Sequence, residues 1–170
     1  LIVLSDQESS DIEDLVIGGI GYKIYVIPHG LLTPKMQSPS RTTARYELGL
    51  DNEIEMVLFF GKIVAYKGIG DLIEAFSIAS KVRPKLKLYI AGSPDEPFDA
   101  YLDQIKKLGL EQKVCAYPEY VSTSFMLTLY AAADVAILPY RQASQSGAGL
   151  ECLTLGKPII VTNTGGLSDL

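Results

Sequence analysis

The chain is short of the side chains that build metal centres and disulfide frameworks. It has one histidine, His29, and two cysteines, Cys115 and Cys152, among 170 residues. The cysteines form neither a CxxC pair nor a metal-ligand spacing and fall in apolar or helical runs, so both read as reduced core residues, and no zinc site is implied. Reduced thiols point to the cytoplasm. Basic residues are also in deficit: 15 Lys and Arg against 20 Asp and Glu leave a net charge of −5. Such a surface gives no general grip on nucleic acid, so any anion site must be local. No apolar run reaches the ~20 residues of a membrane-spanning helix, and no signal-peptide pattern opens the chain. The phosphate-binding fingerprints GxGxxG and GxxxxGK[ST] are missing as well, which weighs against ordinary NAD binding and P-loop hydrolysis.

The 48% hydrophobic content supports one sizeable core. From residue 54 onward, β-rich apolar runs alternate with helical patterns. Strands are expected at 54–60, 86–92, 113–118, 134–140 and 157–162. Several are apolar at nearly every position, as strands buried on both faces should be. Helices are expected at 70–82, 97–109, 122–133 and 147–155, the first stopped by Pro84, the second by Gly109 and the last by Gly156. This alternation predicts an α/β fold, a doubly wound parallel sheet. Residues 1–30 fit that unit less well and read as a strand, a polar helix and a second strand ending near Pro28. A proline-containing linker and a helix over 41–50 follow, placing a domain boundary near residue 30. The sequence starts on "LIVLS" without methionine and stops inside a motif, so it reads as an excerpt of a longer protein.

In a doubly wound sheet the first and fourth of these strands are neighbours, and ligands bind beyond their carboxyl ends. The loop after the first, "GKIVAYKGIG", carries Lys62 and Lys67 among glycines; the loop after the fourth, "RQASQSG", leads through Ser146 and Gly147 into a helix. A helix amino terminus offers unpaired N–H groups, so this pair of loops describes a diphosphate site. Glu151, one turn into that helix, cannot help to bind phosphate but can accept two ribose hydroxyls. Blander readings stand beside these. The lysines can be solvated loop residues, Glu151 a surface residue, the glycines at 147 and 149 a means of tight packing, and Arg141 the partner of an acidic side chain. Tyr117, Tyr120 and Tyr140 read as packing residues, and His29 as a hinge or strand-end residue.

The ordered blocks "VIPHG", "FFGKIVAYKGIGDLIEAF", "LYIAG", "LYAAADVAILPY" and "SGAGLECLTLGKPIIVTNTGG" resemble family four (group 1) of the retaining glycosyltransferases, which have the GT-B fold. The resemblance runs nearly end to end. It implies the Rossmann-like C-terminal domain of a GT-B enzyme over residues 31–170, truncated at its C-terminus, with residues 1–30 as the tail of the acceptor-binding N-terminal domain and its hinge. The implied activity is a hexosyltransferase of polysaccharide biosynthesis. Its donor is a nucleoside diphosphate sugar linked to UDP, GDP or ADP, and it needs no metal and no other cofactor. Lys62 and Lys67 match the family's basic pair on the diphosphate and would act in catalysis. Glu151 matches the second glutamate of the paired-glutamate motif and would hold the ribose. Gly61, Gln145, Ser146, Gly147, Ala148 and Gly149 would bind phosphate and sugar oxygens, and Glu119 and Tyr120 would lie beside the base. Membrane association would belong to the missing acceptor domain. Three departures stand out: Ala143 in place of the first glutamate, eight residues before Glu151, Lys62 in place of the common arginine, and Ser168-Asp169 where Pro-Glu is usual. Gln142, Ser144 or Gln145 would have to supply neutral hydrogen bonds to the sugar instead. The alternatives are another GT-B enzyme, such as a sugar-nucleotide epimerase, and a non-catalytic doubly wound interaction module.

Overall fold

The computed structural model describes residues 2–3, 6–15, 23–27, 30, 37–143, 146–168 and 170, with the side chains of Gln7 and Leu15 excepted. The expected hinge residues Pro28 and His29, most of the linker, Ser144, Gln145 and Asp169 lie outside the described residues. At the amino terminus β1 (Ile2–Val3), α1 (Asp6–Leu15) and β2 (Tyr25–Val26) form a small unit whose two strands pair in parallel. Then come α2 (Arg41–Glu47), β3 (Glu55–Phe60), α3 (Ile69–Val82), β4 (Leu86–Ala91), α4 (Asp99–Lys107), β5 (Val114–Tyr117), α5 (Thr123–Ala132), β6 (Val135–Leu138), α6 (Gly147–Thr154) and β7 (Ile159–Val161). β3 to β7 make one parallel sheet in the order β5-β4-β3-β6-β7. β3 and β6, the first and fourth strands of the sequence pattern, are therefore neighbours, as the doubly wound plan requires. No helix among the described residues is long and apolar enough to cross a membrane.

The unbroken apolar runs are explained by burial on both faces. Along β4, Leu88 and Ile90 pack with Ile69, Leu72, Ile73 and Phe76 of α3 and with Ile105 of α4. The alternate residues Tyr89 and Ala91 pack on the other side, with Ala44 of α2, Leu129 and Tyr130 of α5, and Cys152 of α6. Helix ends follow sequence chemistry. The Ser122 hydroxyl accepts the Phe125 amide at 3.3 Å, capping α5. Arg83, held before Pro84, leaves helical geometry and ends α3. Gly109 and Gly156 take φ of +66° and +64° just past α4 and α6, ending those helices as expected.

One buried network was not expected. Arg45 of α2 is 1% exposed. Its guanidinium donates to the carbonyls of Ala132 (3.0 Å), Asp51 (2.8 Å) and Ile54, and it reaches Asp134 Oδ2 at 3.5 Å. Asp134 also accepts the Met56 amide at 2.8 Å and pairs with Arg41. Burial pushes the Asp134 carboxyl up, but the Met56 amide and the two arginines outweigh it and hold the group below the usual carboxylate range. These bonds fasten α2 to the amino-terminal edge of the sheet. Replacing Arg45 with alanine would leave three carbonyls short of a donor and a cavity beneath α2. Urea denaturation of Arg45→Ala is expected to show a loss of about 3 kcal/mol. A change within about 0.5 kcal/mol, ordinary for a surface substitution, would refute this role.

Candidate functional site

The carboxyl ends of β3 and β6 open onto a cleft of about 750 Å³. Tyr66 and Lys67 line it from the loop after β3; Tyr140, Gln142 and Ala143 do so from the loop after β6. Ser146, Gly147 and Ala148 at the start of α6 complete one wall, Thr164 to Gly166 after β7 another, and Glu8 and Asp11 of α1 also face the space. The two loops singled out in the sequence do meet. The Arg141 amide donates to the Tyr66 carbonyl at 2.7 Å, and the Arg141 guanidinium makes two 2.7 Å bonds to Asp71 at the start of α3. Arg141 is thus a clamp between the loops, engaged by a carboxylate.

The two lysines occupy different surroundings. Lys62 is 66% exposed and donates to both carboxylate oxygens of Asp95, at 3.0 and 3.2 Å. Lys67 ends a short 3₁₀ turn, Ala65–Lys67, and its half-buried ammonium sits 5.1 Å from the centroid of the Tyr140 ring. A Cβ on Gly61 would come within 3.0 Å of that ammonium, so the absence of a side chain there leaves room for the cation. Burial lowers the pKa of Lys67, the Lys62 charge lowers it further, and Asp95 opposes both. Among the described lining residues Lys67 is the cation on the cleft, while Lys62 is paired with Asp95.

α6 supplies the second positive element. The first-turn amides of a helix have no intrahelical acceptor. Ser146, 6% exposed, takes the Gly149 amide on its hydroxyl oxygen at 3.1 Å, while Gly147 and Ala148 stay on the cleft wall. Gly149 itself packs inward: a Cβ there would lie 2.3 Å from Leu170 Cδ1 and 3.3 Å from Leu138 Cδ1. Its missing side chain serves helix-to-sheet packing. Glu151, one turn along, is half-buried and accepts the Tyr130 hydroxyl at 3.3 Å. Burial raises its pKa and the Tyr130 bond opposes the rise. Next to it, burial pushes the Cys152 thiol up to about 11, leaving it unreactive near neutrality.

The structure thus brings Lys67, Ser146, Gly147 and Ala148 together on one cleft. Gly61 and Lys62 flank it, and Gly149 and Glu151 lie further along α6. Glu119 and Tyr120, in the loop after β5, are both exposed; Tyr120 at 82% is no packing residue, whereas Tyr117 stacks on Tyr89 with centroids 6.3 Å apart. Gln145 lies outside the described residues. Sequence reasoning missed Tyr66, the turn Thr164 to Gly166, Glu8 and Asp11 as lining residues. The turn after β7 had a usable signal, since β7 follows β6 in the doubly wound order and its carboxyl end must fall beside the same cleft. For Glu8 and Asp11 no local pattern exists.

Comparison with known proteins adds three findings. Residues 40–170 match the family of glycosyl transferases group 1. Mannosylfructose-phosphate synthase from Agrobacterium fabrum is 30% identical over 167 residues, which cover 91% of this chain and 36% of that protein. Among solved structures, sucrose-phosphate synthase (tll1590) from Thermosynechococcus elongatus superposes with a TM-score of 0.83 at 23% identity, covering 99% of this chain and 41% of that one. Anabaena Alr3699/HepE in complex with UDP and glucose gives 0.78 at 21%, covering 99% and 45%. The chain spans about a third to two-fifths of the length of the curated relatives it matches. With a five-stranded parallel sheet flanked by helices, as in the C-terminal domains of GT-B enzymes, and a family match over residues 40–170, the chain belongs to the glycosyl transferases group 1 family.

Proposed function

We propose that this chain is the donor-binding part of a glycosyltransferase that moves a sugar from a nucleoside diphosphate sugar to an acceptor, with retention at the anomeric carbon. The observation that carries the reading is the convergence of the Lys67 ammonium and the start of α6 on one cleft at the carboxyl ends of β3 and β6. A diphosphate there would meet Lys67 and the amides of Gly147 and Ala148. Lys62 would add a screened charge by exchanging Asp95 for phosphate, beside Gly61, whose own amide is already given to the Ala91 carbonyl. Glu151 has spare acceptor capacity, because among the described residues only the Tyr130 hydroxyl reaches it. Two ribose hydroxyls would compensate the cost of keeping that carboxylate charged while half-buried. Gln142, Ser144 or Gln145 would supply neutral hydrogen bonds to the sugar where Ala143 leaves no carboxylate, and Glu119 and Tyr120 would flank the base.

In the reaction the bond between the anomeric carbon and the diphosphate oxygen breaks, and its electron pair leaves with the diphosphate. The acceptor oxygen bonds to the same face of the sugar and passes its proton to the departing diphosphate, whose oxygen has gained the electron pair. Lys67 and the α6 amides act by stabilising the charge that grows on the leaving oxygens, so no metal is required for that task. Residues 1–30 would be the end of an acceptor-binding domain and 31–170 the donor domain. The acceptor site would lie mainly on the remainder of the longer protein.

Calorimetric titration with UDP, GDP and ADP, each with a chelator present, tests the donor site. One diphosphate is expected to bind saturably, and Lys67→Ala and Glu151→Ala each to weaken it about tenfold, as loss of a charge-assisted contact should. No binding by a folded chain would overturn the reading, and so would binding indifferent to both substitutions.

A pH dependence follows from the lowered pKa of Lys67. An anionic ligand favours the protonated lysine, so affinity is highest below that depressed pKa. It declines as pH rises through it, earlier than an ordinary lysine near 10.4 would dictate. Lys67→Met should abolish this alkaline limb; its persistence would assign the effect elsewhere. Retention is checked on the full-length protein by NMR of the product, where an anomeric configuration opposite to the donor's would refute it.

A further inference from the structure

We propose that the Tyr140 hydroxyl is a donor-binding group that gives a hydrogen bond to a diphosphate oxygen in the cleft. The proposal rests on the donor-site reading above and extends it to a residue that sequence reasoning treats as packing.

The ring of Tyr140 does pack. It is 3% exposed, stands edge-on to Tyr66 with centroids 6.2 Å apart, and carries the Lys67 ammonium over its face. Packing does not account for the hydroxyl, which is buried and makes no well-formed hydrogen bond among the described residues. Ser146 is the polar side chain that bears on it. Its oxygen takes the Gly149 amide, and its own proton reaches toward the phenol oxygen, which opposes the effect of burial on the phenol's pKa and leaves the phenol's proton unspent. A buried hydroxyl whose proton has no acceptor destabilises the fold, and phenylalanine would fill the same space without that cost. A tyrosine here is explained if its hydroxyl is satisfied in the liganded state.

The surroundings say what the ligand atom is. Tyr140 lines the cleft together with Lys67, Gly147 and Ala148. An ammonium and helix-start amides are donors with nothing to accept with. Burial pushes the Tyr140 phenol up to about 12, with Ser146 pulling the other way, so it keeps its proton at physiological pH and can donate. Glu8 and Asp11 line the cleft from α1, whereas Tyr140, Lys67 and the α6 amides are the donors that the β3 and β6 loops and the start of α6 contribute. These donors suit phosphate oxygens, which only accept.

The test is Tyr140→Phe, which keeps the ring under Lys67 and removes one oxygen. The chain and the variant are titrated with the diphosphate that the wild type binds, with the corresponding nucleoside and with the nucleotide sugar, and the unliganded forms are melted. The variant is expected to bind the diphosphate and the nucleotide sugar about tenfold more weakly. Its affinity for the nucleoside should be unchanged, and its unliganded unfolding midpoint should be higher. Diphosphate affinity equal to wild type in a folded variant overturns the proposal, as does a loss confined to the nucleotide sugar or shared equally by the nucleoside. If the wild type binds no diphosphate, both this proposal and the donor-site reading fall. Binding that Lys67→Ala weakens and Tyr140→Phe leaves alone removes this proposal only.

Discussion

The meeting of the Lys67 ammonium with the Tyr140 ring depends on a close backbone approach. Gly68, at φ +68°, lies against Pro139 so tightly that a Cβ would stand 2.0 Å from the Pro139 carbonyl oxygen. No side chain fits there, and only glycine takes that backbone conformation at no steric cost. The residues on either side of the contact are Lys67 and Tyr140, so the cation and the ring meet because their neighbours in sequence touch. The Arg141 amide bond to Tyr66 lies in the same seam. The Arg141–Asp71 fork is well formed but exposed on both sides, so it is screened and secondary to the backbone contact.

The sheet was legible because its signals are local and redundant. Apolar runs such as 86–92 must be buried on both faces, and glycines at 109 and 156 mark where helices stop. Adjacency of the first and fourth strands followed from the doubly wound plan. Lys67 and the start of α6 were legible for the same reason, since each sits at a fixed distance from a strand end. What was not legible is partnering. Nothing in the sequence says that Lys62 takes Asp95, 33 positions away, or that Arg141 takes Asp71, 70 positions away. Arg45 drew no reading from the sequence, yet it is buried, because three carbonyls at the sheet edge take its donors and no local pattern reveals them. The exposure of Tyr120 was misjudged likewise: aromatic character argues for burial, but the loop after β5 carries it outward.

The two ends of the sheet use their polar groups differently. At the amino-terminal edge the Arg45 guanidinium spends its η nitrogens on carbonyls and a carboxylate, and it binds together elements far apart in sequence. At the carboxyl-terminal edge, among the described residues, the Tyr140 hydroxyl makes no well-formed hydrogen bond, Glu151 has one hydroxyl donor, and Lys67 rests on a ring with no carboxylate hydrogen bond. Side-chain bonds that tie distant elements together make a rigid base, although Arg45 Nε itself has no partner among the described residues; donors and acceptors with capacity to spare make a surface ready for a polar ligand. A strand end that is stable throughout would have little to offer one.

Helix α6 runs from one side of this arrangement to the other. Ala148 near its start packs with the cluster that contains Leu138 and Tyr140, while Cys152 and Leu155 toward its end pack with the opposite cluster, among α2 and α5 residues. The helix is therefore a lever across the rim of the sheet. A tilt imposed at its first turn must appear at its last, in a layer that does not touch the cleft. Hydrogen exchange in α5, on that remote face, would report what happens at Gly147.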